Sequence, residues 1–151
     1  MEPENLADDL ATALAGVQRL IRRRLRSKMA VPPLRGAEVE LLRLVMARPG
    51  IGVSDAAKEL YLAGNSVSTL VNRLARDGYL IRETDPADRR AARLLPTEAA
   101  CARLRDWRER RTALVHQQMA RLDEGDRKAL QVALPALRKL AANLHEEAEE
   151  T

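Results

Sequence analysis

The chain has no phenylalanine, one tryptophan, two tyrosines and one cysteine among its 151 residues. With Cys101 alone, no intramolecular disulfide can form. His116 and His145 add too few further ligands for a structural zinc site. No apolar run reaches bilayer length, and no charged segment leading into an apolar one marks a leader at the N-terminus. The expectation is a soluble, cytoplasmic protein that stays off the membrane. No nucleophile–base pair, carboxylate cluster or glycine-rich phosphate loop is visible, so neither an enzyme nor a bound cofactor or metal is expected. With so few aromatics the core must come from Leu, Val, Ala and Ile, a composition that suits helices.

What is abundant is arginine, and its placement matters more than the net charge of +4. From Arg19 to Arg111 there are 21 Lys/Arg against 11 Asp/Glu, a difference of +10. The two ends are acidic, with Glu2, Glu4, Asp8 and Asp9 on one side and Glu146, Glu147, Glu149 and Glu150 on the other. A basic middle between acidic flanks suits a polyanionic partner, although solvated helix faces give the same pattern.

Apolar spacing divides the chain into helices and one hairpin. A first helix spans about 5–29, with Leu6, Leu10, Leu14, Val17, Ile21 and Leu25 on one stripe, stopped by Pro32 and Pro33. A second spans about 36–48, with Val39, Leu42, Val45 and Met46 inward, and ends at Pro49-Gly50. Ile51 and Val53 suggest a minimal strand, and Ser54 an N-cap for a short helix over 55–61. The next helix, about 65–77, places Val67, Leu70, Val71 and Leu74 on one face and closes at Gly78 in the left-handed cap position. Tyr79-Leu80-Ile81 and Arg93-Leu94-Leu95 read as two strands around the turn-rich loop Asp85-Pro86-Ala87-Asp88-Arg89-Arg90. Thr97 caps a long helix to about 122, and Asp123 caps a last one to about 149 that is lined by Leu130, Leu134, Leu137, Leu140 and Leu144 and kinked at Pro135.

The helix over 65–77 carries the functional signal. Its polar face bears Asn65, Ser66, Ser68, Thr69, Asn72, Arg73 and Arg76: short amides and hydroxyls toward the N-terminus, arginines toward the C-terminus. Those groups reach base edges and phosphates when a helix lies in the DNA major groove. An architectural protein indifferent to sequence is the alternative, but a purely electrostatic binder does not need amides and hydroxyls. Arg22, Arg23, Arg24 and Arg26 on the first helix, and Arg103, Arg105, Arg108, Arg110 and Arg111 on the long one, are solvated in the plainest reading; one or two could face a cleft for an anionic ligand. The terminal helices carry more apolar surface than a small winged domain can cover, which points to a second copy.

The segment from Pro49 through Leu74, with Gly78-Tyr79-Leu80, the loop Asp85-Pro86-Ala87-Asp88-Arg89-Arg90-Ala91 and Leu94-Leu95-Pro96-Thr97, resembles the winged helix-turn-helix of MarR-type bacterial transcription regulators. The resemblance implies a mainly α fold with a β-hairpin wing, one domain over 1–151, with its DNA-binding region at about 34–97 between dimerisation helices at about 5–29 and 98–149. It implies a homodimer on a two-fold symmetric operator in double-stranded DNA, acting as a repressor released by a small aromatic or anionic effector. The DNA-binding residues are then Ser54, Asn65, Ser66, Ser68, Thr69, Asn72, Arg73, Arg76, Asp88, Arg89 and Arg90, with Asp88 bracing Arg90 in the minor groove and Arg89 on phosphate. Trp107 reads as a packing residue, with a place in the effector cleft of the family as the alternative, and Cys101 is read as a small packed side chain rather than a redox switch. The chain departs from the family pattern at Arg35, Tyr61, Ala63 and Ala100, where Thr, Gly, Ser or Asp, and Gly are frequent.

Overall fold

The computed structural model describes residues 3–29, 34–88 and 91–149. Among these, the elements run α1 (Pro3–Arg26), α2 (Gly36–Ala47), β1 (Ile51–Gly52), α3 (Val53–Glu59), α4 (Gly64–Arg76), β2 (Leu80–Thr84), β3 (Ala92–Pro96), α5 (Glu98–Met119) and α6 (Glu124–Glu149). This is the mainly α architecture with a hairpin wing expected from the sequence. The chain forms two compact units, Met1–Arg111 and Thr112–Thr151, with the boundary inside α5.

The core of the first unit is aliphatic, as the lack of aromatics requires. Leu41, Leu42 and Val45 of α2 meet Ala56 and Ala57 of α3, Val67, Val71 and Leu74 of α4, and Leu80 and Leu94 of the sheet. Burying one such Val or Leu side chain stabilises by roughly 1.5–3 kcal/mol, so this cluster sets the position of α4. On α2 the inward stripe is Glu38, Leu41, Leu42 and Val45, at i, i+3, i+4 and i+7. The expectation of Met46 on that face is corrected, since Met46 is exposed and Val39 is only half-buried. A buried glutamate holds one end of the stripe, and apolar pattern alone cannot register it.

β3 is the central strand, antiparallel to both neighbours in the order β1-β3-β2. The strand expected at Ile51 exists but stops at Gly52, and Val53 opens α3. Ser54 is therefore not the N-cap; Gly52 takes that place, and Ser54 sits exposed inside the first turn. The wing loop is closed locally. Asp85 Oδ1 accepts the Ala87 N–H at 2.9 Å, and the Asp85 N–H donates to the Ala91 carbonyl at 3.0 Å.

Helix ends follow the side chains available. Gly78 adopts φ +83°, its N–H donates to the Ala75 carbonyl and that of Tyr79 to the Leu74 carbonyl, a Schellman closure of α4. Thr97 Oγ1 accepts the Ala100 N–H at 3.2 Å and donates to the Gly78 carbonyl at 2.7 Å, so one hydroxyl caps α5 and ties it to the end of α4. Asp123 Oδ1 caps α6 through the Asp126 N–H at 2.8 Å. α1 ends at Arg26, short of the expected residue 29; Pro32 and Pro33, expected to stop it, lie outside the described residues.

Candidate nucleic-acid interface

α4 is amphipathic in the sense that places a reading face outward. Val67, Val71 and Leu74 are fully buried, and Asn65, Thr69, Asn72 and Arg76 form an exposed stripe opposite them. Their spacing of i, i+4, i+7 and i+11 keeps the four on one line along the helix. Ser66 is exposed on one flank, whereas Ser68 is half-buried on the other. Ala63, at the N-cap position, supplies no side-chain bond, so the first N–H groups of α4 lack a side-chain cap.

Hydrogen bonds decide what the stripe can offer. Thr69 Oγ1 donates to the Asn65 carbonyl one turn back, at 3.0 Å, which leaves its methyl group and an acceptor lone pair for a partner. Asn72 Oδ1 accepts from Arg82 Nη1 of β2 at 2.6 Å. Arg82 is absent from the sequence-derived set. Strand alternation brings it there: Leu80 points into the core, Ile81 away from it, and Arg82 back toward α4 just beyond the core edge.

Arg73 is used within the fold. Its Nη1 lies 3.1 Å from Glu38 Oε1, in an ion pair whose acid is almost wholly buried. The other oxygen, Glu38 Oε2, accepts the Arg35 N–H at 3.2 Å at the start of α2. Glu38 thus compensates for Arg35, which has no acceptor with which to cap α2. Arg73 lies beside the reading stripe, half-buried and engaged by α2, and Arg76 is the exposed arginine of this helix. Arg48, at the end of α2, reaches Glu59 of α3 at 2.7 Å, an exposed pair that links the two helices. In the wing, Asp88 is exposed, while Arg89 and Arg90 lie outside the described residues, so the expected Asp88–Arg90 brace does too.

A separate cavity of about 270 Å³ opens in the first unit between α1, α2 and the first part of α5. Arg22 and Arg26, Arg35 and Arg43, and Arg111 line it, with Trp107 on one wall and Glu40 as the lining acid. Among the described residues none of these five arginines is in an ion pair. Arg22 Nε is buried with no hydrogen-bond partner, and a Cβ at Gly36 would stand 3.2 Å from Arg22 Nη2, so the glycine leaves that guanidinium its room. Burying an unpartnered cation is costly, which makes this cavity receptive to an anion. Sequence spacing does not reveal it, because its arginines come from three helices.

Comparison with known proteins agrees with the geometry. The MarR family model matches residues 33–91, and no curated protein matches the chain. Solved structures align over nearly all of it. A MarR family protein from Bacillus stearothermophilus is 19% identical, with a TM-score of 0.72 over 95% of this chain and 99% of that one. FabT from Streptococcus pneumoniae, solved in complex with DNA, is 21% identical, with a TM-score of 0.69 over 95% and 99%. The PcaV transcriptional regulator from Streptomyces coelicolor, solved with its natural ligand, is 22% identical, with a TM-score of 0.59 over 94% and 93%. Residues 33–91 thus match the MarR family model, in a chain that shares the fold of these solved structures.

Proposed function

We propose that the protein is a homodimeric, sequence-selective DNA-binding transcription regulator, a repressor that leaves its operator when a small anionic effector binds. The exposed stripe Asn65–Thr69–Asn72–Arg76 carries this reading, because it presents an amide, a hydroxyl with its methyl group, a second amide and a guanidinium along one line of a rigidly packed helix. Asn65, Ser66, Thr69 and Asn72 are assigned to bases or nearby phosphates, Ser54 and Arg76 to phosphates, and Ser68 to the edge of the contact. Arg89 and Arg90 are assigned to phosphate and minor groove on the resemblance alone. That FabT was solved on DNA supports the same partner here.

The dimer is supported by apolar surface that this chain leaves open. Leu14 and Val17 of α1, and Leu134, Leu140 and Leu144 of α6, are exposed, a density of large aliphatics that a second copy would cover. The effector is assigned to the arginine-lined cavity, with Trp107 suited to a flat or aromatic ligand body, and the ligand bound by PcaV supports a small-molecule response. Glu38 offers the link for release, since it holds Arg35 at the cavity and Arg73 on α4 at once.

Equilibrium titration of the full chain on labelled duplexes with unlabelled random DNA as competitor tests the reading. A sequence-selective regulator retains its site at competitor excesses on the order of a thousandfold; displacement at parity would favour the architectural alternative.

A further inference from the structure

We propose that Asn72 and Arg82 act as one reading unit that presents mainly donors, so that the operator half-site carries guanine where this unit touches it. The inference rests on the DNA-binding reading above and adds to it a base and a residue from the wing. The observation is the bond from Arg82 Nη1 to Asn72 Oδ1 at 2.6 Å, between an exposed strand residue and an exposed residue of the reading stripe. A guanidinium has no acceptor, so the bond fixes which end of the amide faces it. Oδ1 is engaged and Nδ2 is turned away; among the described residues Nδ2 meets no acceptor.

That orientation matters for readout. An asparagine free in the groove pairs with adenine through both ends, Oδ1 accepting from N6 and Nδ2 donating to N7. Here the accepting end is occupied, and the Asn72 amide offers N–H groups beside the remaining guanidinium N–H groups of Arg82. Adenine N6 and cytosine N4 are themselves donors and would have to share Asn72 Oδ1 with the Arg82 guanidinium, which weakens their match to this unit. Guanine presents only acceptors at N7 and O6, and so matches it. Phosphate oxygens are acceptors too, and the test separates them from guanine.

The experiment selects bound duplexes from random DNA with wild type, Arg82→Ala, Arg82→Lys and Asn72→Ala, then titrates each protein on duplexes that carry each of the four bases at the position affected. Wild type should prefer guanine there by roughly tenfold or more. Arg82→Ala frees Oδ1, so the preference at that position alone should move to adenine. Arg82→Lys keeps a donor for Oδ1 and should keep guanine. Asn72→Ala should weaken the guanine preference without creating one for adenine. If Arg82→Ala instead weakens all duplexes alike and lowers the salt slope by about one with base preferences unchanged, Arg82 contacts phosphate and the pair does not read a base. If wild type selects a symmetric site but no guanine depends on Arg82, the proposal fails while the DNA-binding reading stands. If wild type selects nothing, both fail. Arg82 is exposed, so an unchanged melting temperature is the control for folding; should the alanine variant unfold, the lysine and Asn72→Ala arms still decide.

Discussion

α4 and α6 are both amphipathic helices, yet they end up in opposite states. In α4 the apolar face packs within the chain: Val67, Val71 and Leu74 have no exposure at all, and Leu70 is half-buried against the core. In α6 most leucines at the same kind of spacing stay open, with Leu134 at 46% and Leu144 at 64% exposure, while Leu137 is half-buried. A buried apolar face frees the opposite polar face for a partner, because the helix is already held. An open apolar face has its work outside the chain. The contrast supports the proposal that α4 serves the DNA and α6 a second copy, and each part can be broken separately.

The largest effect should come from charging the open face. Leu137→Asp with Leu140→Asp would bury two unpaired carboxylates in the proposed dimer contact, at several kcal/mol each, and sedimentation should then show monomer or unfolded protein that binds operator weakly. A stable monomer with undiminished affinity would refute the dimer. Next comes the closed face. Leu74→Ala removes a fully buried side chain and should cost about 2–5 kcal/mol, with a loss in thermal or urea unfolding that does not vary with protein concentration. A loss below 1 kcal/mol would mean that α4 is not held as firmly as its burial implies.

A smaller effect is expected at the contact between α2 and α4. Glu38→Ala removes the acid that holds both Arg73 and the start of α2. Charged hydrogen bonds contribute about 1.5–3 kcal/mol, and Arg73 keeps partial contact with water, so the expected loss is about 1–2 kcal/mol. The discriminating readout is DNA affinity measured where the variant is fully folded: it should fall along with the order of α4, and unchanged affinity would remove Glu38 from the proposed release path. Smallest is the turn before α4. Tyr61 holds φ +52°, a left-handed conformation that costs a non-glycine residue about 1–2 kcal/mol. Glycine would relieve that strain and lose roughly 0.5–1 kcal/mol to backbone entropy, so Tyr61→Gly should raise stability slightly; a clear loss would show that the tyrosine side chain stabilises the turn.

Local chemistry was the legible part. The helical period puts Val67, Val71 and Leu74 inward, Gly78 must close α4, and Thr97 must cap α5, because each depends on neighbours within a few residues. Pairing between distant elements was not legible. Glu38 and Arg73 are 35 residues apart, and nothing in the spacing of either marks the other. Arg73 therefore reads from sequence as a groove residue, and the structure engages it with α2. Arg82 escapes the sequence reading for a related reason: the hairpin extends three pairs of residues beyond Ile81, and only strand alternation in three dimensions turns Arg82 toward Asn72. The same holds for the cavity, whose five arginines lie far apart in sequence. Ser54 shows the limit even of local rules. A serine before a helix is a good cap, but β1 ends at Gly52 and the helix starts two residues early.

On the proposed reading, α4 presents a base-reading face, twice, from a symmetric dimer. The most direct test is selection of bound duplexes from random DNA with the full-length wild-type protein. Enrichment of a two-fold symmetric site is expected, with half-sites about one helical turn apart, roughly 10–10.5 base pairs centre to centre. Enrichment without symmetry, or retention of DNA that reflects only overall base composition, would contradict it.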